Sequence, residues 1–315
     1  MSQRAVPSAL LVGGVLVGLT VATITPAAAQ GDPVYGEGNV YFLSGAYNPD
    51  GQAQAVFEFG DPDDEVYFGD WYGHGVDLPM VRRGNVFFVP SEDDPSVTAS
   101  VFAYGDAGDE VYIGDWDGDA VDSIAIRRNN QYFVKNDNRT TGVADRRFFY
   151  GNPEDYVLVG NWDGRLVAPG ADQQGKGDTL TVVRGNEFFV KNSVTTGEAD
   201  YTFLFGDPED YLVVGDWARV TDNGDGTEKV ESSNGADQVA VVRGNRYHLS
   251  TEFEAARAGT TNLSTQREFA YGNPDDAVFV ASFPSPLDAQ GKVIDDFDAA
   301  ATVIEGDGLG VRRLH

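Results

Sequence analysis

The sequence predicts an all-β fold, a five-bladed β-propeller with four antiparallel strands in each blade. Three observations carry that expectation. First, one unit recurs along nearly the whole chain. Its opening is FEFGDPDDEVYFGDW from Phe57, FAYGDAGDEVYIGDW from Phe102, FFYGNPEDYVLVGNW from Phe148, FLFGDPEDYLVVGDW from Phe203 and FAYGNPDDAVFVASF from Phe269, and self-similarity at this period marks a repeat architecture. Second, each unit divides into four short strands separated by turn residues. Third, the chain starts and stops in the middle of a unit.

Taken in order, residues 1–29 have the pattern of a secretory signal peptide. Arg4 supplies the positive start, Ala9–Ile24 is apolar, and Ala27-Ala28-Ala29 is a small-residue cleavage site. Residues 30–315 then form one propeller domain. The strands of a unit are a (EVYIGDW), b (SIAIRR), c (NQYFV) and d (RFFYG). Strand a alternates and is rich in β-branched and aromatic residues, the pattern of a half-buried strand. It falls near 65–71, 110–116, 156–162, 211–217 and 277–283, and strand b near 78–83, 123–128, 179–184, 238–243 and 308–313. Strand c falls near 39–43, 85–89, 130–134, 186–190 and 245–249, and strand d near 56–60, 101–105, 147–151, 202–206 and 268–272. A weak helical pattern occurs only around Glu252–Ala258.

The chain therefore begins at a c strand and ends at a b strand. A ring satisfies both orphan pairs, with the N-terminal c–d pair and the C-terminal a–b pair completing one shared blade. Radial repetition of this kind protects sheet edges. The alternative is an open array whose end half-blades pair with another chain. Five complete strand sets favour closure within a monomer.

Loop lengths sort the two faces. The b–c turns are tight, Arg-Gly-Asn at 83–85, 184–186 and 243–245 and Arg128-Asn129-Asn130 in one unit, and such residues tolerate the left-handed backbone a hairpin needs. The d–a turns are also short. The a–b loops grow from Tyr72–Asp77 to Arg165–Asp178, Ala218–Asp237 and Pro284–Gly308, and the c–d loops are long at Pro90–Ala99, Asn136–Arg146, Asn192–Tyr201 and Thr251–Arg267. All variable length thus belongs to one face, where recognition is usually placed on a rigid scaffold.

Composition narrows the function. A formal net charge of -28 repels nucleic acid and anionic membrane surfaces, so neither is an expected partner once the signal peptide is removed. The absence of Cys excludes disulfides, thiol nucleophiles and Cys-ligated metals. His74, His248 and His315 are scattered and offer no metal-ligand spacing. No nucleophile elbow or phosphate-binding glycine loop is present.

The segment GDWDGDAVD at Gly114–Asp122 resembles the FG-GAP/VCBS-type repeat of integrin-α-like propellers, and especially tandem repeats of secreted actinobacterial proteins that read approximately YGNPxD…GDWDGDGxDxxxxxRxxxWyL. The resemblance extends from Gly38 to Arg313. It implies a propeller, while such repeats serve adhesion, carbohydrate binding and scaffolding alike. It also implies calcium in the a–b loop, where several oxygen ligands converge on a hard cation in a tight turn. Asp115, Asp117, Asp119 and Asp122 match the acidic positions, with Ala120 in place of the turn glycine. The other units depart further: Asp70, Tyr72, His74 and Asp77 in the first, Asn161, Asp163, Arg165 and Asp178 in the third, Asp216 followed by Ala218 and Arg219 in the fourth, and Ala281-Ser282-Phe283 in the last. A second acidic stretch, 222–226, reads as a plain turn.

Two recurrent sets have structural readings. Trp71, Trp116, Trp162 and Trp217, with Phe283 in the fifth slot, occupy one repeat position and are expected to pack blade on blade instead of stacking on sugars. Arg83, Arg128, Arg184, Arg243 and Arg313 end strand b, and Asp64, Asp109, Asp155, Asp210 and Asp276 lie in the d–a turns of the same face. They are expected to form bidentate ion pairs. The expected function is a secreted, non-catalytic recognition module for an extracellular glycan, cell-wall polymer or protein, engaged by the long-loop face. A glycan-cleaving enzyme, which requires a unique carboxylate pair, and a purely structural surface protein are the alternatives.

Overall fold

A computed structural model describes residues 39–44, 55–62, 64–92, 97–164, 177–216, 219–222, 228–231, 236–250, 252–259, 261–274, 276–281 and 308–312. The signal peptide and most of the Pro284–Gly308 loop lie outside them. In chain order the strands are β1 (Val40–Ser44), β2 (Ala55–Glu58), β3 (Glu65–Gly69), β4 (Leu78–Arg83), β5 (Val86–Pro90), β6 (Thr98–Ala103), β7 (Glu110–Gly114) and β8 (Ser123–Arg128). They continue as β9 (Gln131–Lys135), β10 (Arg146–Phe149), β11 (Tyr156–Gly160), β12 (Thr179–Arg184), β13 (Glu187–Lys191), β14 (Tyr201–Leu204), β15 (Tyr211–Gly215), β16 (Arg219–Asp222) and β17 (Glu228–Glu231). The last are β18 (Gln238–Arg243), β19 (Arg246–Leu249), the single-turn helix α1 (Phe253–Arg257), β20 (Arg267–Ala270), β21 (Ala277–Ala281) and β22 (Gly308–Arg312).

The protein is an all-β propeller. Its four sequence-continuous blades are β3–β6, β7–β10, β11–β14 and the set β15, β18, β19, β20, each a four-stranded antiparallel sheet. The expectation of five blades of one kind is corrected here: four are contiguous. The remaining four-stranded sheet, in the order β2-β1-β22-β21, is assembled from the two ends of the chain. Tyr41 pairs with Arg312 and Phe42 with Val311 across its seam. One element was unforeseen, the hairpin β16–β17 within the a–b loop of the fourth blade.

The a strands are not half-buried as their alternation suggested. Four of the five share the pattern of one partly buried residue followed by four buried ones, because each sheet is sandwiched between neighbours and both strand faces are covered. Residues of odd and even register serve different blades. Val157 and Val159 pack in one apolar cluster with Tyr112, Trp116 and Tyr132 of the second blade, while Leu158 packs with Leu212, Val214 and Val239 of the fourth. The same division places Val278 and Val280 against the fourth blade, and Phe279 against Val66 and Phe68 of the first. Phe279 stacks on Phe68 at 4.4 Å between ring centres. The outward strands d are the exposed ones, as in the β10 residues Arg146, Arg147 and Phe149. Their edges are covered by the next blade's c–d loop, since Ala103 N and Phe149 N donate to Thr141 Oγ1 and Thr196 Oγ1 at 2.9 and 3.0 Å.

The short-loop face is pinned at four turns. Arg83, Arg128, Arg184 and Arg243 bond Asp64, Asp109, Asp155 and Asp210 through two nitrogens each, at 2.6–2.7 Å; Arg313 lies outside the described residues. Burial alone would raise the Asp109, Asp155 and Asp210 carboxyls, but the Arg bonds and a turn N–H outweigh it and hold them below the usual range. Their stabilisation is therefore present above the unfolded carboxylate pKa and lost as pH falls through the lowered folded value. The Asn before each c strand adds a second tie, from Asn39, Asn85, Asn130, Asn186 and Asn245 Nδ2 to the carbonyls of Gly60, Gly105, Gly151, Gly206 and Gly272. Gly84, Gly185 and Gly244 at these turns have φ of 67°, 64° and 62°, and Asn129 takes the same conformation at 60°.

Between blades a reciprocal bond recurs on the other face. Asp122 Oδ2 accepts from Asp70 N at 2.8 Å while Asp122 N donates to Asp70 O at 2.9 Å. Asp178 and Asp115 repeat the pair at 2.8 and 2.7 Å, and Asp237 and Asn161 at 2.6 and 2.9 Å. The preceding glycine makes the approach feasible: a Cβ on Gly69, Gly114 or Gly160 would lie 2.8–3.0 Å from the incoming carboxylate oxygen. Burial, then the charge of Asp178, raises the Asp122 carboxyl well above its ordinary value. A raised folded pKa favours the fold below the unfolded value and turns into a cost as pH rises through it. Asp122→Asn, which keeps the acceptor and sheds the charge, should thus be more stable than the parent at pH 7, the gain fading toward about pH 4. Asp122→Ala orphans the Asp70 N–H and should lose about 1–3 kcal/mol. Denaturant unfolding of both variants at the two pH values checks this.

Candidate functional site

The long-loop face is built from a–b loops, each organised by the residue after strand a. Asp115 Oδ1 accepts from Gly118 N and Asp119 N at 2.7 and 3.0 Å, and its Oδ2 from Ala120 N at 2.9 Å. Asp70 does the same for Gly73, His74 and Gly75 at 2.7, 3.1 and 2.6 Å, and Asn161 for Gly164 at 3.2 Å. These are side-chain-capped turns. Ala120 stands at φ 69°, the left-handed position where the resembling family has glycine.

Of the four predicted calcium ligands, the structure brings three together. Asp115, Asp117 and Asp119 each place a carboxylate oxygen within 4.8 Å of the others. Asp122 does not join them, because its carboxylate spans to the first blade. The group fits a hard cation only in part. Calcium takes 6–8 oxygens, whereas both Asp115 oxygens are occupied by backbone N–H groups, Asp119 Oδ1 accepts from Val121 N at 2.9 Å, and Asp117 Oδ2 accepts from Asn136. Asp117 is further engaged by the Asp119 backbone N–H. Burial raises Asp115 and Asp117, with the Asp119 charge adding to both.

The three described tryptophans are core. Trp71, Trp116 and Trp162 are buried, and each indole N–H donates to a carbonyl at the start of strand b, Leu78, Ser123 and Thr179 at 2.7, 3.1 and 3.3 Å. Trp217 and Phe283 lie outside the described residues, as do residues 165–176 of the third a–b loop and 223–226 of the second acidic stretch.

Two cavities were not foreseen from the sequence. One, about 250 Å³, opens on the long-loop face at the junction of the first and second blades, lined by Trp71, Tyr72, Val89, Ala99, Ser100, Asn138 and Arg139. Asn138, 5% exposed, anchors it by donating to Trp71 O and Asp122 O at 3.4 and 3.1 Å. The other, about 540 Å³, lies on the short-loop side, with Glu65, Tyr67, Glu110, Tyr112, Arg127 and Tyr156 in its wall. Here the repeat is broken. Arg82 and Arg127 are buried, donate to Glu65 and Glu110 at 3.0 and 2.9 Å, and reach the next blade's turn carbonyls at Asp109 and Pro153 at 3.0 and 2.9 Å. Tyr67 and Tyr112 donate to the same glutamates. The third and fourth blades carry buried Val183 and Val242 instead. The signal was legible: strand b ends Arg-Arg in some units and Val-Arg in others. Each glutamate is tied by Tyr and Arg, which makes these groups inter-blade fasteners.

Comparison with known protein families gives no matching family model, and comparison with curated proteins gives no matching relative. Among the described residues no helix is long and apolar enough to cross a membrane.

The crowding of three carboxylates yields a prediction. In EDTA, Asp117→Asn should unfold at a higher temperature than the parent, because it removes like-charge repulsion at a partly buried group. An unchanged or lower melting temperature contradicts the electrostatic reading of this loop.

Proposed function

We propose that the protein is a secreted, non-catalytic recognition module that binds an extracellular polysaccharide, cell-wall polymer or protein through its long-loop face. The observation that carries the reading is the contrast between the two faces. One has short turns pinned by ion pairs and Asn side chains, and its cavity is walled by Tyr, Arg and Glu side chains already bonded to one another, whereas the other carries the long connections and a groove beside the Arg139 side chain. A rigid scaffold with variable loops gathered on one face is the usual arrangement for recognition.

The proposal includes the finer architecture. The end-to-end sheet β2-β1-β22-β21 is taken as the fifth blade, closing a monomeric ring of FG-GAP/VCBS type, and residues 1–29 as the export signal. In support, that sheet shares one apolar cluster with the fourth blade and another with the first. Calcium, held by Asp117 and Asp119 beside Asp115, is an accessory that would neutralise the loop. The formal charge of -28 argues for neutral or cationic partners over nucleic acid and anionic membranes.

The test is co-sedimentation of the mature protein with insoluble polysaccharides and cell walls, with calcium and with EDTA. Selective pelleting on one polymer is expected, with calcium strengthening it. Pelleting on none of them contradicts the polymer reading and leaves a protein partner as the object of the next search.

A further inference from the structure

The groove between the first and second blades lies where the c–d loop lacks an apolar plug that the next two junctions have. In the third blade the c–d loop bonds Phe149 N through Thr196, and two residues earlier Val194 is buried in the same cluster as Trp116. In the fourth blade Phe253, Ala256 and Leu263 fill the equivalent place in the cluster of Trp162. The second blade's loop makes the matching bond from Ala103 N to Thr141. Two residues earlier stands Arg139, which is exposed, with Asn138 beside it. An apolar plug is thus replaced by a cation and an amide, and the space over Trp71 is left open at about 250 Å³.

The lining is mixed in a way that selects a ligand. Tyr72, Val89 and Ala99 give an apolar wall, and the Tyr72 hydroxyl is committed to Pro90 O at 2.7 Å, which fixes its ring. Ser100, Asn138 and Arg139 supply the polar side. Among the described residues no hydrogen bond holds the Arg139 guanidinium; only its backbone N–H is engaged, by Asp137 at 2.9 Å. Most other arginines described are fixed in ion pairs or carbonyl bonds, so this one is available as a forked donor. A pyranose offers the complement, an apolar C–H face and a rim of hydroxyl acceptors. The volume, below the range of about 300–1,000 Å³ for drug-sized pockets, admits one ring. Neutrality follows from the whole chain's charge of -28; Asp137, which adjoins Arg139, is itself paired with Lys135 at 3.4 Å.

We propose that this groove is a subsite for one neutral pyranose unit of a polysaccharide, an inference that rests on the recognition reading above and names its ligand class and position. Arg139 supplies the directional bonds and Tyr72 the packing surface.

The test uses saturation-transfer NMR on the mature full chain with cello-, xylo-, manno- and chito-oligosaccharides, and oligogalacturonate as the anionic counterpart. Its partner variant is Arg139→Val, which restores the plug of the third blade and should not lower the melting temperature. The expected result is transfer to at least one neutral oligosaccharide, weakened about tenfold or more in Arg139→Val. Transfer to none of the neutral sugars, transfer only to oligogalacturonate, or equal transfer in parent and variant each overturns the subsite. Equal pelleting of parent and variant on a polymer would overturn the subsite while leaving the recognition reading in place. Failure of both assays would remove both.

Discussion

The reciprocal bond between an aspartate before strand b and the backbone after the preceding blade's strand a is the constraint on which the rest depends. It brings a carboxylate within reach of a position that only glycine can occupy, at Gly69, Gly114 and Gly160. Neighbouring sheets are therefore held at one spacing on the long-loop side. That spacing lets residues of odd and even register fill both gaps, and lets Trp71, Trp116 and Trp162 each lie under its own a–b loop. The residue that receives the bond, Asp70, Asp115 or Asn161, spends its side chain capping that loop. Blade docking and loop shape are thus set by the same few atoms.

The opposite face is tightened by different chemistry. Bidentate Arg–Asp pairs join the d–a and b–c turns, Asn side chains close the gap to the next carbonyl, and Arg82 and Arg127 bind the first three blades together. Partly exposed single pairs are worth little, yet here Arg83, Arg128 and Arg243 each bond a second acid and Arg82 and Arg127 satisfy turn carbonyls, and the paired aspartates Asp64, Asp109, Asp155 and Asp210 also cap their turns. Such a face has few free donors left for a ligand. The long-loop face keeps its own, and Arg139 is the clearest among the described residues.

Much of the fold was legible because the repeat writes it five times. Trp at one slot, Arg-Gly-Asn at another and the broken ends of the chain pointed to blades and to a shared sheet. The site was less legible, and Asp122 shows why. Spacing places it beside Asp115–Asp119, but the direction of its carboxylate is set by the neighbouring blade, which a local motif does not contain. The strand-a alternation misled for a related reason, since two different neighbours cover its two faces. The groove at Arg139 was hidden by a one-residue difference between c–d loops, and only the Thr141 and Thr196 bonds align them.

The central claim is that blades are locked by these backbone-to-carboxylate pairs, and amide hydrogen exchange tests it most directly. The N–H groups of Asp70, Asp115, Asp122 and Asp178 sit outside every strand, so loop behaviour would leave them fast. The account predicts that they exchange as slowly as the buried strand amides of Ile113 and Val159, in the global unfolding regime. Exchange at loop rates, with the strands still protected, would contradict it.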